Sequence, residues 1–197
     1  MTSRSFAMLL AACFAAVAAC AASLRADAAC VGGTVRTTSP GQTPSAAPGL
    51  TVPKGFAIFT IARVPHAREL IALPDGDLLV GTSSRDVYLV PNAESRTPGT
   101  PSVFFTAPDD RAAGVAFSPR RCEIYVATER AVYVASYANG QRAGGTLRKL
   151  LDVRTGPIAP HSDGDVHSTT SVAYAETTDS LYVSVGSSCN ACVEADP

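Results

Sequence analysis

Two histidines flank an acidic, glycine-containing stretch, His161-Ser162-Asp163-Gly164-Asp165-Val166-His167-Ser168. An imidazole beside carboxylates on a loop has the makings of a general base. A nearby negative charge and partial burial hold its pKa near neutrality, where it accepts a proton and releases it again. His167 is the candidate base. The same stretch also reads as a solvated loop, and its Asp/His spacing is too generic to specify a metal site. The third histidine, His66, lies in Val64-Pro65-His66-Ala67-Arg68, where the chain enters an apolar run, and reads as structural or solvated.

The cysteines are the second set of reactive groups. Cys189-Asn190-Ala191-Cys192 is a CxxC followed by Val193, so the histidine of a haem-attachment motif is missing. No second ligand pair at zinc spacing accompanies it. A redox CxxC usually opens a helix, whose dipole lowers the thiol pKa, whereas this one follows a strand pattern. A small disulfide-closed loop joining Cys189 and Cys192 is the reading these facts favour. There is no Walker loop, GxGxxG, HExxH, GxSxG or EF-hand loop. The net charge of −1 comes without a basic stripe, so nothing points to nucleic acid.

The elements that must position these groups are short strands. Phe56–Ile61, Glu69–Leu73, Leu78–Thr82 and Asp86–Val90 are runs of five or six residues rich in Val, Ile, Leu and Tyr. No window carries a helix-period stripe of a dozen residues, so an all-β fold is predicted. Pro74-Asp75-Gly76-Asp77 supplies a tight turn, with Asp-Gly suited to positive φ. The strand–turn–strand unit recurs at Ala116–Val126 and again at Ala173–Val183. Leu79, Tyr125 and Tyr182 fall at equivalent places, 46 and 57 residues apart. The first spacing matches a β-propeller blade of roughly 40–50 residues. The longer one implies an insertion, for which the Gly- and Pro-containing stretch 151–166 is the candidate.

Residues 1–28 read as a secretory signal peptide: Arg4, an apolar run from Phe6 to Ala22, then Ala26-Asp27-Ala28 at the cleavage site. A rival pattern, Val17-Ala18-Ala19-Cys20, resembles a lipobox. Its use would make 1–19 the signal and leave a lipidated Cys20 tethered to a membrane. Either route implies export, to the periplasm or outside the cell. There Cys30, Cys122, Cys189 and Cys192 have three possible pairings into two disulfides. Residues 29–52 carry Pro40, Pro44 and Pro48 without an apolar period and read as a flexible linker. Residues 53–197 hold about three blades at roughly 45 residues each, fewer than the four or more that close a ring. The expectation is therefore the N-terminal portion of a longer propeller.

The block from His167-Ser168-Thr169-Thr170-Ser171-Val172 to Leu181-Tyr182-Val183-Ser184-Val185-Gly186-Ser187-Ser188-Cys189-Asn190 resembles the segment of the glucose/sorbosone dehydrogenase family that begins with the active-site histidine. Pro53-Lys54-Gly55-Phe56, Ala67-Arg68-Glu69-Leu70, Leu73–Thr82 and Gly114–Ser118 resemble its first two blades, in order. The resemblance implies a six-bladed propeller, present here in part. It also implies a soluble quinoprotein that oxidises aldose sugars or sugar aldehydes and passes electrons to a periplasmic or membrane acceptor. Pyrroloquinoline quinone (PQQ) and calcium are the implied cofactors. His167 would take the hydroxyl proton while hydride passes to the quinone. The resemblance makes Asp165 the candidate for orienting His167 or raising its basicity; in the family the acidic neighbour directly precedes that histidine, whereas here Val166 intervenes. The cofactor-gripping residues are expected in later blades, so this chain alone is expected neither to hold the quinone tightly nor to turn over sugar. The alternative is a secreted NHL-type propeller that binds a partner without catalysis.

Overall fold

The computed structural model describes residues 49–95, 97–153 and 171–186. Among them are ten strands and no helix, so the all-β expectation holds. The strands β1 (Ala67–Ala72), β2 (Leu78–Thr82), β3 (Asp86–Val90) and β4 (Ser102–Thr106) form one antiparallel sheet in the order β1-β2-β3-β4. A second sheet repeats the plan with β5 (Gly114–Ser118), β6 (Glu123–Ala127), β7 (Ala131–Ser136) and β8 (Arg148–Asp152). A third contains β9 (Val172–Ala175) and β10 (Ser180–Val183). None of the sheets closes on itself.

Turn chemistry sets the hairpins. In the first, Gly76 takes φ 83° and its amide donates to the Leu73 carbonyl (3.1 Å), while the Leu73 amide donates to Asp77 (2.9 Å). This is the positive-φ demand that the Asp-Gly pair answers. The second and third hairpins reach the same end with Cys122 (φ 51°) and Asp179 (φ 50°) just before β6 and β10. The equivalence of these two loops is thus written in the backbone as well as in the sequence.

One predicted run departs from expectation. Phe56–Ile61 has no strand partner among the described residues; its backbone runs outside every ladder, and Phe56 is 73% exposed. An apolar run becomes a strand only where an edge offers hydrogen bonds to pair with. Further along the same segment, Ala62 and Val64 pack onto Val80 and Val90 of the first sheet.

The sheets stack face to face, and β1, β5 and β9, the first strand of each, lie side by side. Strand alternation distributes side chains between the two faces. One face of the second sheet (Val115, Phe117, Ile124, Val126, Tyr133) meets Leu79, Val87 and Leu89 of the first. Its other face (Ala116, Tyr125, Val132, Val134) meets Val172, Tyr174, Leu181 and Val183 of the third. The middle sheet is apolar on both sides, which is why β5 is buried throughout. Leu79 and Tyr125 each point toward the following sheet, and Tyr182 points the same way from the third. The register inferred from the repeat is the register observed.

Two glycines are required by close approach. A Cβ on Gly81 would sit 2.2 Å from the Ala113 carbonyl oxygen, where the link between the first two sheets crosses β2. A Cβ on Gly144 would lie 2.2 Å from the Phe105 ring, because the Gly144 amide donates to the Phe104 carbonyl at 2.8 Å. At the charged edge of the second sheet, Arg148 and Lys149 of the fully exposed β8 discourage strand addition.

Candidate functional site

The strand direction puts the beginnings of β1, β5 and β9 at one end of the stack. The loop β2–β3, the link β4–β5 and the turn β6–β7 lie there too. At this end a polar cleft of about 390 Å³ opens between the first strands, lined by Ala67, Arg68, Glu69, Ala113 and Ser171. Each of the three sheets contributes to it. The volume falls in the range of small-molecule sites, roughly 300–1,000 Å³.

Glu69 is the organising residue of the cleft. Its carboxylate accepts the backbone amide of Val115 at 3.2 Å and that of Val172, joining β1 to both β5 and β9. The strand edges at this junction face one another without a ladder, so their amide groups need an acceptor. Burial of the carboxyl raises its pKa above the ordinary glutamate range, and the two amides oppose that rise. Arg68, the preceding residue, is exposed and lines the same cleft; it makes no ion pair among the described residues. Ser171, also exposed, stands at the head of β9.

Around the cleft the rim is polar and tied down. Arg111 pairs with Glu129 at 2.5 Å and Arg130 with Asp110 at 3.3 Å. Arg85 donates to the carbonyls of Ala107 (2.7 Å) and Pro108 (3.0 Å), fixing the β4–β5 link. His66 sits at the turn into β1 with φ 54°, exposed, its carbonyl accepting the Ser83 amide at 2.9 Å.

The opposite end of the stack holds the sheets together by charge. Asp75 accepts the Tyr137 hydroxyl (3.0 Å) and the Gly140 amide (2.8 Å), and Asp77, whose side chain is fully buried, pairs with Arg142. Burial raises the Asp77 pKa despite the Asn92 amide and Arg142 beside it. Between the second and third sheets, Arg121 grips Asp179 through two nitrogens, at 3.0 and 2.5 Å. The Tyr174 hydroxyl also donates to Asp179 (2.7 Å), and its ring stacks on Tyr125 at 6.4 Å. The guanidinium holds the Asp179 carboxyl at about 2.

His161, Asp163, Asp165 and His167 lie outside the described residues, as do Cys189, Cys192 and the N-terminal signal with Cys20. Cys122 is half-buried against the first core; the cysteines with which it was expected to compete for pairing lie outside the described residues. No described helix is long and apolar enough to cross a membrane. Glu69 was not singled out from sequence for chemistry. Its signal is an ionisable side chain set inside an apolar strand, Glu69-Leu70-Ile71-Ala72-Leu73.

The described residues do not make a site for the implied cofactors. No group of three or more His, Cys, Asp or Glu side chains is placed to hold a metal ion among them. For a tricarboxylate quinone the cleft offers Arg68 as its one lining cation, with Glu69 opposing an anion. Comparison of the chain with protein-family models, with curated proteins and with solved structures finds no match.

Proposed function

We propose that this chain forms the opening blades of a β-propeller belonging to an exported sugar-oxidising enzyme of the quinoprotein type, with its reaction centre at the cleft formed by the first strands. The observation that carries the reading is convergence. Four-stranded meanders stacked with β1, β5 and β9 side by side are what propeller blades around an axis look like. The cleft at one end of those strands is polar, and Ser171 lines it. His167 is four residues upstream of Ser171, a stretch that spans at most about 14 Å when fully extended. This nearness in sequence supports assigning the candidate base to the cleft.

In this reading His167 would accept the proton of a sugar hydroxyl, with Asp165 as the carboxylate that supports it, and PQQ with calcium, which the described residues alone do not hold, would supply the oxidant. A disulfide between Cys189 and Cys192 is a local staple beyond β10. The signal at 1–28, or lipidation at Cys20, delivers the protein to the periplasm or to the outer face of a membrane.

The test is His167→Ala in the full-length protein, assayed by dye-linked oxidation of aldoses with quinone and calcium supplied. Loss of a general base lowers the rate by about 10²–10⁴-fold. Unchanged oxidation overturns the assignment of the base. A wild-type protein that oxidises no aldose, yet captures a partner through the same end, supports the binding propeller instead.

A further inference from the structure

Three strands end their sheets on the side away from β1, β5 and β9: β4, β8 and β10. Such an edge leaves a row of backbone N–H and C=O groups with which another strand can pair. Two of the edges are guarded. The Gly144 amide donates to the Phe104 carbonyl of β4 at 2.8 Å, and β8 carries Arg148 and Lys149. The third, β10, has no charged residue, and among the described residues it pairs with β9 alone. A slot of about 220 Å³ lies beside it, between the second and third sheets. With two described strands, the third sheet covers β5 and β6 and stops short of β7 and β8. Val134 pairs with Tyr125 and with Arg148, so all three side chains share the face turned toward the third sheet. Val134 and Leu150 floor the slot and Leu181 of β10 walls it; Leu150 remains 42% exposed.

At the far end of the stack lies a strand without an edge. Phe56–Ile61 holds no charge and no proline, and its backbone runs outside every ladder among the described residues. Phe56, Ile58 and Ile61 are 73%, 37% and 39% exposed. In an extended chain Phe56 and Ile58 fall on one side and Phe59 and Ile61 on the other, so either side offers two large apolar residues. The run adjoins Ala62 and Val64, which pack on the face of the first sheet turned away from the second. β10 lies two sheets from that anchor, about 20 Å at the ordinary sheet spacing. Within one molecule two sheets stand between the run and the edge; between molecules nothing does.

We propose that Phe56–Ile61 of one copy of this chain adds as a strand to β10 of a second copy, seating apolar side chains in the slot over Val134 and Leu150. Backbone hydrogen bonds to β10 supply affinity, and the slot selects the side chains. This contact needs only the sheets and their edges, and it stands whether or not the protein oxidises sugar.

The experiment is sedimentation of the full chain from micromolar to millimolar concentration, with amide exchange of β10 read alongside. Mass is expected to rise with concentration, and the β10 amides that point away from β9 are expected to gain protection as it does. Ile58→Pro removes a ladder donor and is expected to weaken association about 10-fold or more. Ile58→Val keeps the donor and the strand preference and is expected to leave it nearly unchanged. Both variants fold, because Ile58 is exposed and lies outside every described ladder. Leu150→Lys, which sets a charge in the slot, is expected to weaken association as well. A synthetic peptide of residues 53–64 in excess is expected to compete. A monomer at every concentration, or association indifferent to Ile58→Pro and Leu150→Lys, overturns the contact. So does full protection of the outward β10 amides in the dilute monomer, which means that the same molecule fills its own edge.

Discussion

Removing the Glu69 side chain tests how the three sheets are joined. In Glu69→Ala the amides of Val115 and Val172 lose their acceptor, and these residues are only 1% and 2% exposed. Each buried amide left unpaired costs about 1–3 kcal/mol. Two contributions reduce the total. The carboxylate is itself desolvated, as its raised pKa records, so deleting it relieves a cost. Water can also enter the cleft and take over part of the hydrogen bonding. A net loss of about 2 kcal/mol is expected. With a urea m-value near 2 kcal/mol/M, the unfolding midpoint falls by about 1 M. Amide exchange read residue by residue is the sharper assay. The Val115 and Val172 amides should exchange about 30-fold faster, the equivalent of 2 kcal/mol, while Val126 inside the second sheet changes only with global stability. Unaltered protection at both amides and an unaltered midpoint would refute the argument that this carboxylate ties β1 to β5 and β9.

Ile124→Ala removes a fully buried side chain from the interface of the first two sheets and should cost about 2–5 kcal/mol in chemical denaturation. Gly81→Ala forces a methyl against the Ala113 carbonyl and should cost about 1–3 kcal/mol, read as a lower melting temperature; a neutral result means the β4–β5 link is free to shift. The Asp179 carboxyl titrates near 2 instead of the ordinary 3.8, so its support for the third sheet is complete above about 4 and fades as pH falls toward 2. Carboxyl carbon shifts measure this midpoint directly, and Arg121→Ala should return it toward 3.8.

Much of this architecture was legible in the residues. Leu78–Thr82 and Asp86–Val90 form strands with the predicted bounds, because alternation, β-branched side chains and the Pro-Asp-Gly turn all agree locally. The repeat at Leu79, Tyr125 and Tyr182 was legible for the same reason: equivalent positions turn to the same side of their own sheets. What the sequence did not disclose is what depends on neighbours far along the chain. Phe56–Ile61 has the composition of a strand and lacks an edge to pair with among the described residues. Arg121 and Asp179, 58 residues apart, meet only because the sheets stack. Glu69 shows the same limit: its partners are backbone amides on two other sheets, and nothing near it in the chain announces them.

The stack has two unlike ends. The first sheet presents Leu70, 59% exposed, beside the apolar segment with Phe56 and Ile61, while the third presents Tyr182 and Val185, each 62% exposed. Contact between such ends joins molecules head to tail. A heterologous contact of this kind either comes full circle or propagates as a screw, according to the angle it imposes. The rotation from one sheet to the next therefore sets the angle at which any further sheet would add to this stack.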